Sequence, residues 1–343
     1  MSAILDATAI LQTLPGKSCR VELDDGQEPT WHLWKEREVN AITVALAARR
    51  PLLVRGEPGT GKTQLARAAA SVLGWALHGT TLHLRSEPQD LLYQFDAVQR
   101  LADAQVGELK VGEDVRDYWQ PQALWLALGW QSAQQYGTLR HASATGAPAP
   151  RGHVVLLDEI DKAPPDVPNG LLEVLGARSF AVPGLGLRVA SPKDTPWPLV
   201  IITTNEEREL PPAFMRRCMV LTHDVEAEAS YYEFLLAHGE AHFGPGREGA
   251  TVQIDPTLLE RAATRLVLDR QQAQQVQLPA PGLAEYLDLL YALHELAPDD
   301  PGKQGEWLDK LNQYAYLKNR IEEGGAHPLR QQADGVRGLG LHA

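Results

Sequence analysis

Cysteine is almost missing from this chain: Cys19 and Cys218 are the only two in 343 residues. Two thiols cannot build a disulfide framework or a four-cysteine zinc site, and such usage fits a reducing compartment. Long apolar runs are missing too, since no stretch approaches the ~18 residues of a membrane span. The opening MSAILDATAI lacks the basic segment that precedes the apolar run of a secretory leader. The expectation is a soluble, cytoplasmic chain without a membrane partner. Positive charge is in deficit, with 32 Lys and Arg against 44 Asp and Glu and a formal net charge of -12. A field of that sign repels phosphate backbones, so nucleic acid is not an expected partner. Gly (29) and Pro (24) fall well short of the roughly 25–30% that marks low-complexity chains, which excludes disorder for most of the sequence.

What is present is enough for about two domains at ~150 residues each. From about residue 50 to 222, short β-rich apolar runs alternate with helical patterns, as buried parallel strands alternate with helices. Strands are expected at 51–55, 80–84, 153–157 and 199–204. After about residue 225 the spacing becomes helical: Asp255-Pro256 reads as an N-cap with proline at the first helical position, and Leu283, Tyr286, Leu287 and Leu290 mark one face. Trp307, Leu311 and Tyr314 mark another helix. The stretch SFAVPGLGLRVA at 179–190 reads as a hairpin around a Pro-Gly turn. Residues 142–150 read as an exposed connection, and the Gly-rich end beyond about 324 as a mobile tail.

Gly56-Glu57-Pro58-Gly59-Thr60-Gly61-Lys62-Thr63 fits G-x-x-x-x-G-K-[ST] and lies between an expected strand and a helix with Leu65, Ala69 and Val72 on one face. Glycines let successive backbone N–H groups point at a β-phosphate, and the helix N-terminus adds positive potential. Lys62 would reach the β- and γ-phosphates and the Thr63 hydroxyl would ligate Mg²⁺. The run His153-Val154-Val155-Leu156-Leu157 ends in Asp158-Glu159. A buried strand has no reason to end in paired carboxylates unless something positive waits there; Asp158 is expected to hold the metal through its water shell, and Glu159 to polarise the attacking water. Asn205, at the end of the 199–204 strand, lies where open α/β sheets bind ligands and is a candidate to position that water. Arg216 and Arg217 follow a short helix-like segment and are candidates to neutralise charge in the transition state.

Together GEPGTGKT, VVLLDEIDKAPP, TTNEERELPPAFMRRC and the helical C-terminal half resemble the AAA+ ATPases, in particular the MoxR-like, dynein-related branch, over residues 36 to 320. The resemblance implies an α/β P-loop core, a parallel sheet flanked by helices, followed by a small all-helical lid. It places an N-terminal extension at 1–35, the nucleotide-binding domain at 36–225, the lid at 226–323 and the tail at 324–343. An insert at about 86–150 and the hairpin at 179–190 would face the substrate side of a ring. The resemblance also implies ATP and Mg²⁺ as cofactors, Asn205 as sensor 1, and an arginine finger at Arg217 with Arg216 as competitor. Partners would be other copies of the chain, in a ring expected to be a hexamer, and a protein client or co-factor with a von Willebrand A-type domain. The chain departs from the pattern at 278–283, Leu-Pro-Ala-Pro-Gly-Leu, where the sensor 2 arginine of many lids would fall, and at Cys218, where many relatives carry an aromatic.

Other readings compete. A slow nucleotide-dependent switch is opposed by the intact Glu159; a nucleic-acid motor by the acidic balance; a small-molecule kinase by its having no use for Asn205 or the arginine pair. His238 and His242 have i, i+4 spacing, but the glutamate does not follow the first histidine as a zinc protease requires. Trp31 and Trp34 read as packing rather than base stacking.

Overall fold

The computed structural model describes residues 2–22, 29–106, 115–142, 149–192, 195–223, 230–244, 253–275, 278–298 and 300–315. Two compact units are present, one of residues 1–57 and 61–223, the other of residues 58–60 and 224–343. The expected tail at 324–343 and most of the 142–150 connection lie outside the described residues.

The first unit opens with α1 (Ser2–Leu11), an antiparallel pair β1 (Ser18–Val21) and β2 (Thr30–Leu33), and α2 (Glu36–Ala48). Its centre is a parallel sheet built from β3 (Leu52–Gly56), β4 (Ala76–Thr81), β7 (His153–Asp158), β10 (Leu199–Thr204) and β11 (Met219–His223) in the order β11-β3-β10-β7-β4. Between β4 and β7 come the short antiparallel pair β5 (Tyr93–Phe95) and β6 (Trp119–Pro121), with α4 (Ala97–Val106), α5 (Ala123–Leu128), α6 (Trp130–Ala133) and α7 (Gly137–Ala142). The helix α8 (Asp166–Ala177) leads to the hairpin β8 (Ser179–Val182) and β9 (Leu187–Ala190), whose strands pair at the expected 179–190. The helix α3 (Lys62–Leu73) follows β3, and α9 (Pro212–Met215) precedes β11.

Side chains alternate across a strand, so each central strand feeds two cores. Leu53, Val155, Leu157, Val200 and Ile202 enter one, with Leu124 and Trp125 of α5 and Leu171 of α8. Leu52, Val54, Val154, Leu156, Leu199 and Ile201 enter the other, with Ile42 of α2, Leu65 of α3 and Leu11 of α1. Burial on both faces is why these strands read as unbroken apolar runs. Truncating any of these fully buried aliphatics to alanine would cost about 2–5 kcal/mol. The α5 helix, inside the segment expected as an insert at 86–150, thus roofs one face of the sheet. Trp34 is buried in the second core, as packing requires.

The strand expected at 80–84 runs instead over Ala76–Thr81. As an edge strand it is only half covered, so its sequence, ALHGTT, carries no apolar run. The other edge, β11, is not among the expected strands: its apolar run, Met219-Val220-Leu221, is only three residues long before Thr222 and His223.

The second unit is helical: α10 (Tyr231–Phe243), α11 (Pro256–Gln275), α12 (Leu283–Leu296) and α13 (Pro301–Ala315). Asp255 caps α11 as expected, accepting the Thr257 N–H at 2.9 Å. Leu283, Tyr286 and Leu290 bury one face of α12 against Leu259 and Leu266 of α11 and Phe234 of α10. The Tyr286 hydroxyl donates to the Leu259 carbonyl at 3.1 Å. Helix α10 must carry glycine at 239, because a Cβ there would lie 2.5 Å from that hydroxyl. Arg270, buried, donates to the Pro281 carbonyl at 3.1 Å and lies over the Tyr231 ring. Among the described residues no helix is long and apolar enough to cross a membrane.

At the amino end of the sheet, His78 Nε2 and His153 Nδ1 are 3.0 Å apart, their rings stacked beside Trp130. Burial pushes both down to about 4, His78 also through the charge of His153. Unfolded imidazoles take protons near 6.5, so the stability linked to this pair is complete above that pH and is lost as pH falls toward 4. The loss should reach ~2 kcal/mol for each imidazole, several degrees in Tm for the pair, between pH 7 and 5. Replacing both by glutamine should flatten the profile; an unchanged slope in thermal unfolding would show that the pair is not its source.

Candidate active site

The motif at 56–63 runs from the last residue of β3, through the loop, into the first turn of α3. Gly56 has φ 147° and leans on β11: a Cβ there would lie 2.5 Å from the His223 carbonyl oxygen. Gly61, at φ 87°, is the N-cap of α3. Only glycine enters these conformations freely, and they turn the chain back over the start of the helix. Lys62 is the first residue of α3 and is buried. Its Nζ donates to the carbonyls of Gly56 at 2.9 Å and Glu57 at 2.7 Å. Burial lowers its pKa, against the opposing pull of Asp158, Asp161, Glu159 and Glu206. A buried ammonium facing four carboxylates is a site built around charge.

Across the sheet, β7 delivers Asp158 to this loop. The Thr63 hydroxyl lies 3.0 Å from Oδ1 and 3.1 Å from Oδ2 of Asp158, although 95 residues separate the two. The glycine loop and the acid-tipped strand therefore meet, as the sequence leads one to expect. A hydroxyl and a carboxylate at this spacing are hard oxygen donors of the kind Mg²⁺ takes, with waters and substrate phosphates completing its shell. Among the described residues no three His, Cys, Asp or Glu side chains group to hold a metal by themselves, the His238–His242 pair included.

Beyond Asp158 the strand stops abruptly. Glu159 is in the left-handed region, φ 60° and ψ 50°, a conformation costing a residue with a Cβ roughly 1 kcal/mol. Its N–H donates to the Thr203 hydroxyl at 2.9 Å, and that hydroxyl in turn donates to Asp158 Oδ1. Glu159 Oε1 accepts from Lys162 Nζ at 2.9 Å and from Asn205 Nδ2 at 3.4 Å. The bond to Glu159 raises the Lys162 pKa. Asn205 itself follows β10, which lies between β3 and β7.

Arg216 and Arg217 lie elsewhere, after α9. Both are exposed, and neither meets a carboxylate among the described residues; Arg217 reaches only the Ala213 carbonyl, at 3.5 Å. The Arg216 carbonyl accepts from Arg50. Cys218 is buried with Phe214 in the first core, and burial pushes its thiol up to about 12, so it packs as a small inert hydrophobe.

A family model described as AAA domain (dynein-related subfamily) matches residues 51–218. The chain carries an AAA domain of the dynein-related subfamily. The matched span starts just before β3 and ends at Cys218, so it holds residues 56–63, Asp158, Glu159, Asn205, Arg216 and Arg217. The solved structures similar to this AAA chain include a candidate ATPase from Cytophaga hutchinsonii, at 13% identity and TM-score 0.41, covering 100% of this chain and 96% of that one. They also include a point mutant of RuvB from Thermotoga maritima, at 16% identity and TM-score 0.37, covering 88% and 81%. No curated protein matches the chain significantly.

Two residues of the AAA site escaped the sequence reading. Thr203 and Asp161 are buried polar side chains, and their role lies in contacts between strands that no local pattern reports. Replacing Thr203 by valine keeps the shape and removes the hydroxyl. It strips Asp158 of a donor and the Glu159 N–H of its acceptor, about 1–3 kcal/mol for the orphaned groups. Hydrogen exchange at the Glu159 amide should quicken about tenfold or more while the amides of α12 keep their protection. Unchanged exchange at Glu159 would mean the hydroxyl does not hold it.

Proposed function

We propose that this chain binds ATP with Mg²⁺ at residues 56–63 and Asp158, hydrolyses it between adjacent copies of a ring, and uses the cycle to remodel a partner protein. The observation that carries the reading is the Thr63 hydroxyl on the Asp158 carboxylate, which brings the phosphate loop and the acid-tipped strand to one point. Main-chain N–H groups of the loop and the Lys62 ammonium bind the phosphates. Lys62 leaves its two carbonyl partners to do so, exchanging neutral acceptors for charged ones. When bound, Mg²⁺ held by Thr63 and Asp158 offsets negative charge on the phosphate oxygens.

Glu159 is placed to take a proton from water, and Asn205, within reach of the same carboxylate, to hold that water's orientation. Arg216 and Arg217 are exposed and meet no acid among the described residues, which supports a role for one of them toward a neighbouring copy. Arg217 is the expected finger and Arg216 its competitor. Family membership supports the ring, since AAA proteins generally assemble so; six copies, and a client with a von Willebrand A-type domain, come from the resemblance alone.

The Glu159→Gln variant should keep ATP affinity within a few-fold and lose turnover about 100-fold or more, since it leaves the phosphate contacts intact and removes the base. Lys62→Ala should lose ATP binding. Mixed together, Lys62→Ala and Arg217→Ala chains should recover part of the turnover that each lacks alone, because one copy supplies the loop and the other the arginine. Steady-state phosphate release reads turnover in each case, and titration with a fluorescent ATP analogue reads affinity. Recovery with Arg216→Ala instead would move the finger to Arg216, and no recovery with either would end the shared-site reading.

A further inference from the structure

The Asp161 carboxylate is 2% exposed, yet it pairs with no lysine or arginine among the described residues. A buried charge needs partners, and here they are backbone amides. Oδ2 accepts the Asn205 N–H at 3.2 Å and the Glu207 N–H at 3.0 Å, while Oδ1 has no hydrogen-bond partner. Between those two amides, Glu206 is in the left-handed region at φ 60°. Alternating handedness turns N–H groups 205 and 207 to one side, forming a small concavity of the kind that binds anions. The anion in this concavity is the chain's own Asp161. Glu206 is held in turn, its N–H on the Thr204 hydroxyl at 2.9 Å and its carboxylate 3.4 Å from the Arg55 guanidinium.

The consequence is a mechanical link. Asp161 lies two residues after Glu159, in the short helical turn Ile160–Lys162, and its carboxylate grips the segment that begins with Asn205. The side chain of Asn205 reaches back to Glu159 at 3.4 Å. A loop of covalent and hydrogen bonds therefore runs Glu159, Asp161, Asn205 and back to Glu159. Released from Asp161, residues 205–207 lose both amide contacts, and nothing else described holds the Asn205 backbone at that height.

We propose that Asp161 is the positioning residue that sets Asn205 against Glu159, acting on turnover through Asn205 and not by touching nucleotide. The inference rests on the reading of this site as an ATP-hydrolysing one. Charge-assisted bonds are about twice as strong as neutral ones, so a carboxylate grips more firmly than the amide of the same shape. Asp161→Asn keeps an oxygen for the two N–H groups without the charge, and it should retain part of the activity.

The test is a double-mutant cycle on full-length chain with ATP, read as kcat, KM and the affinity for a fluorescent ATP analogue. Asp161→Ala should lower kcat about 30-fold with affinity within about threefold, and Asp161→Asn should restore at least a third of that loss on a logarithmic scale. Asn205→Ala should lower kcat comparably, and adding it to Asp161→Ala should cost no more than about twofold further, because both changes remove one function. Multiplicative losses in the double variant, or an Asp161→Ala chain with parental kcat, overturn the inference while leaving ATP hydrolysis in place. If Asp161→Ala does not fold, the same cycle is run on Asp161→Asn, whose loss must then vanish in the Asn205→Ala background. A parent chain that binds the analogue but releases no phosphate removes the hydrolysis reading, and this inference with it.

Discussion

The contact on which everything else depends is the one between the Thr63 hydroxyl and the Asp158 carboxylate. Two oxygen-bearing side chains 95 residues apart in the AAA domain meet, the Thr63 hydroxyl lying 3.0 and 3.1 Å from the two Asp158 carboxylate oxygens, and every other feature of the site is arranged around that point. It exists because β3 and β7 are parallel and are separated by the single strand β10, so their carboxyl ends finish side by side. Parallel order also sends each chain out of the sheet at that same edge, where loops are free to carry chemistry. Glycine at 56 and 61 lets the first of these loops fold back over α3 and not away from it.

The middle strand does more than separate the other two. Thr203 on β10 bonds to both Asp158 and the Glu159 amide, and Asn205 just beyond it reaches the Glu159 carboxylate. Three strand ends are thereby tied into one hydrogen-bonded unit, in which Glu159 occupies a left-handed conformation it would otherwise avoid. Strain of this kind persists only where the surroundings over-determine it. The two cores supply that rigidity, since the strands bearing the site are packed on both faces by aliphatic side chains with almost no exposure.

A second buried acid shows the same logic away from the chemistry. Glu38, at the third position of α2, accepts the Lys35 N–H at 3.0 Å and lies between His32 at 3.2 Å and His223 at 3.3 Å. Burial would raise its pKa, but the bonds from His223 and His32 outweigh that and hold it below the usual carboxylate range. Its contribution to stability is therefore present above the unfolded carboxylate pKa and is lost in acid. Because His223 ends β11 and its carbonyl sits against Gly56, this cluster braces the start of the phosphate loop.

How much of this was legible in the sequence follows from how local each signal is. The phosphate loop was readable because glycines, lysine and threonine are fixed within eight neighbouring positions, and β3, β7 and β10 because burial on two faces leaves unbroken apolar runs. The edge strands were not: β4 was displaced by several residues and β11 overlooked, since half-covered strands mix polar and apolar side chains. The role of α5 as a sheet-covering helix was hidden by its place inside an apparent insert. Thr203 and Asp161 were invisible for a different reason, as single polar residues whose partners lie about 45 positions away and whose meaning is purely geometric. The most direct test of the whole account is the affinity for ATP with Mg²⁺ and with EDTA, compared between the parent chain and the Thr63→Ala and Asp158→Ala variants. Mg²⁺ should tighten binding to the parent about tenfold or more, and both variants should lose that gain while keeping their metal-free affinity. A full Mg²⁺ gain surviving in both would mean that the hydroxyl and the carboxylate do not serve one metal-bound triphosphate.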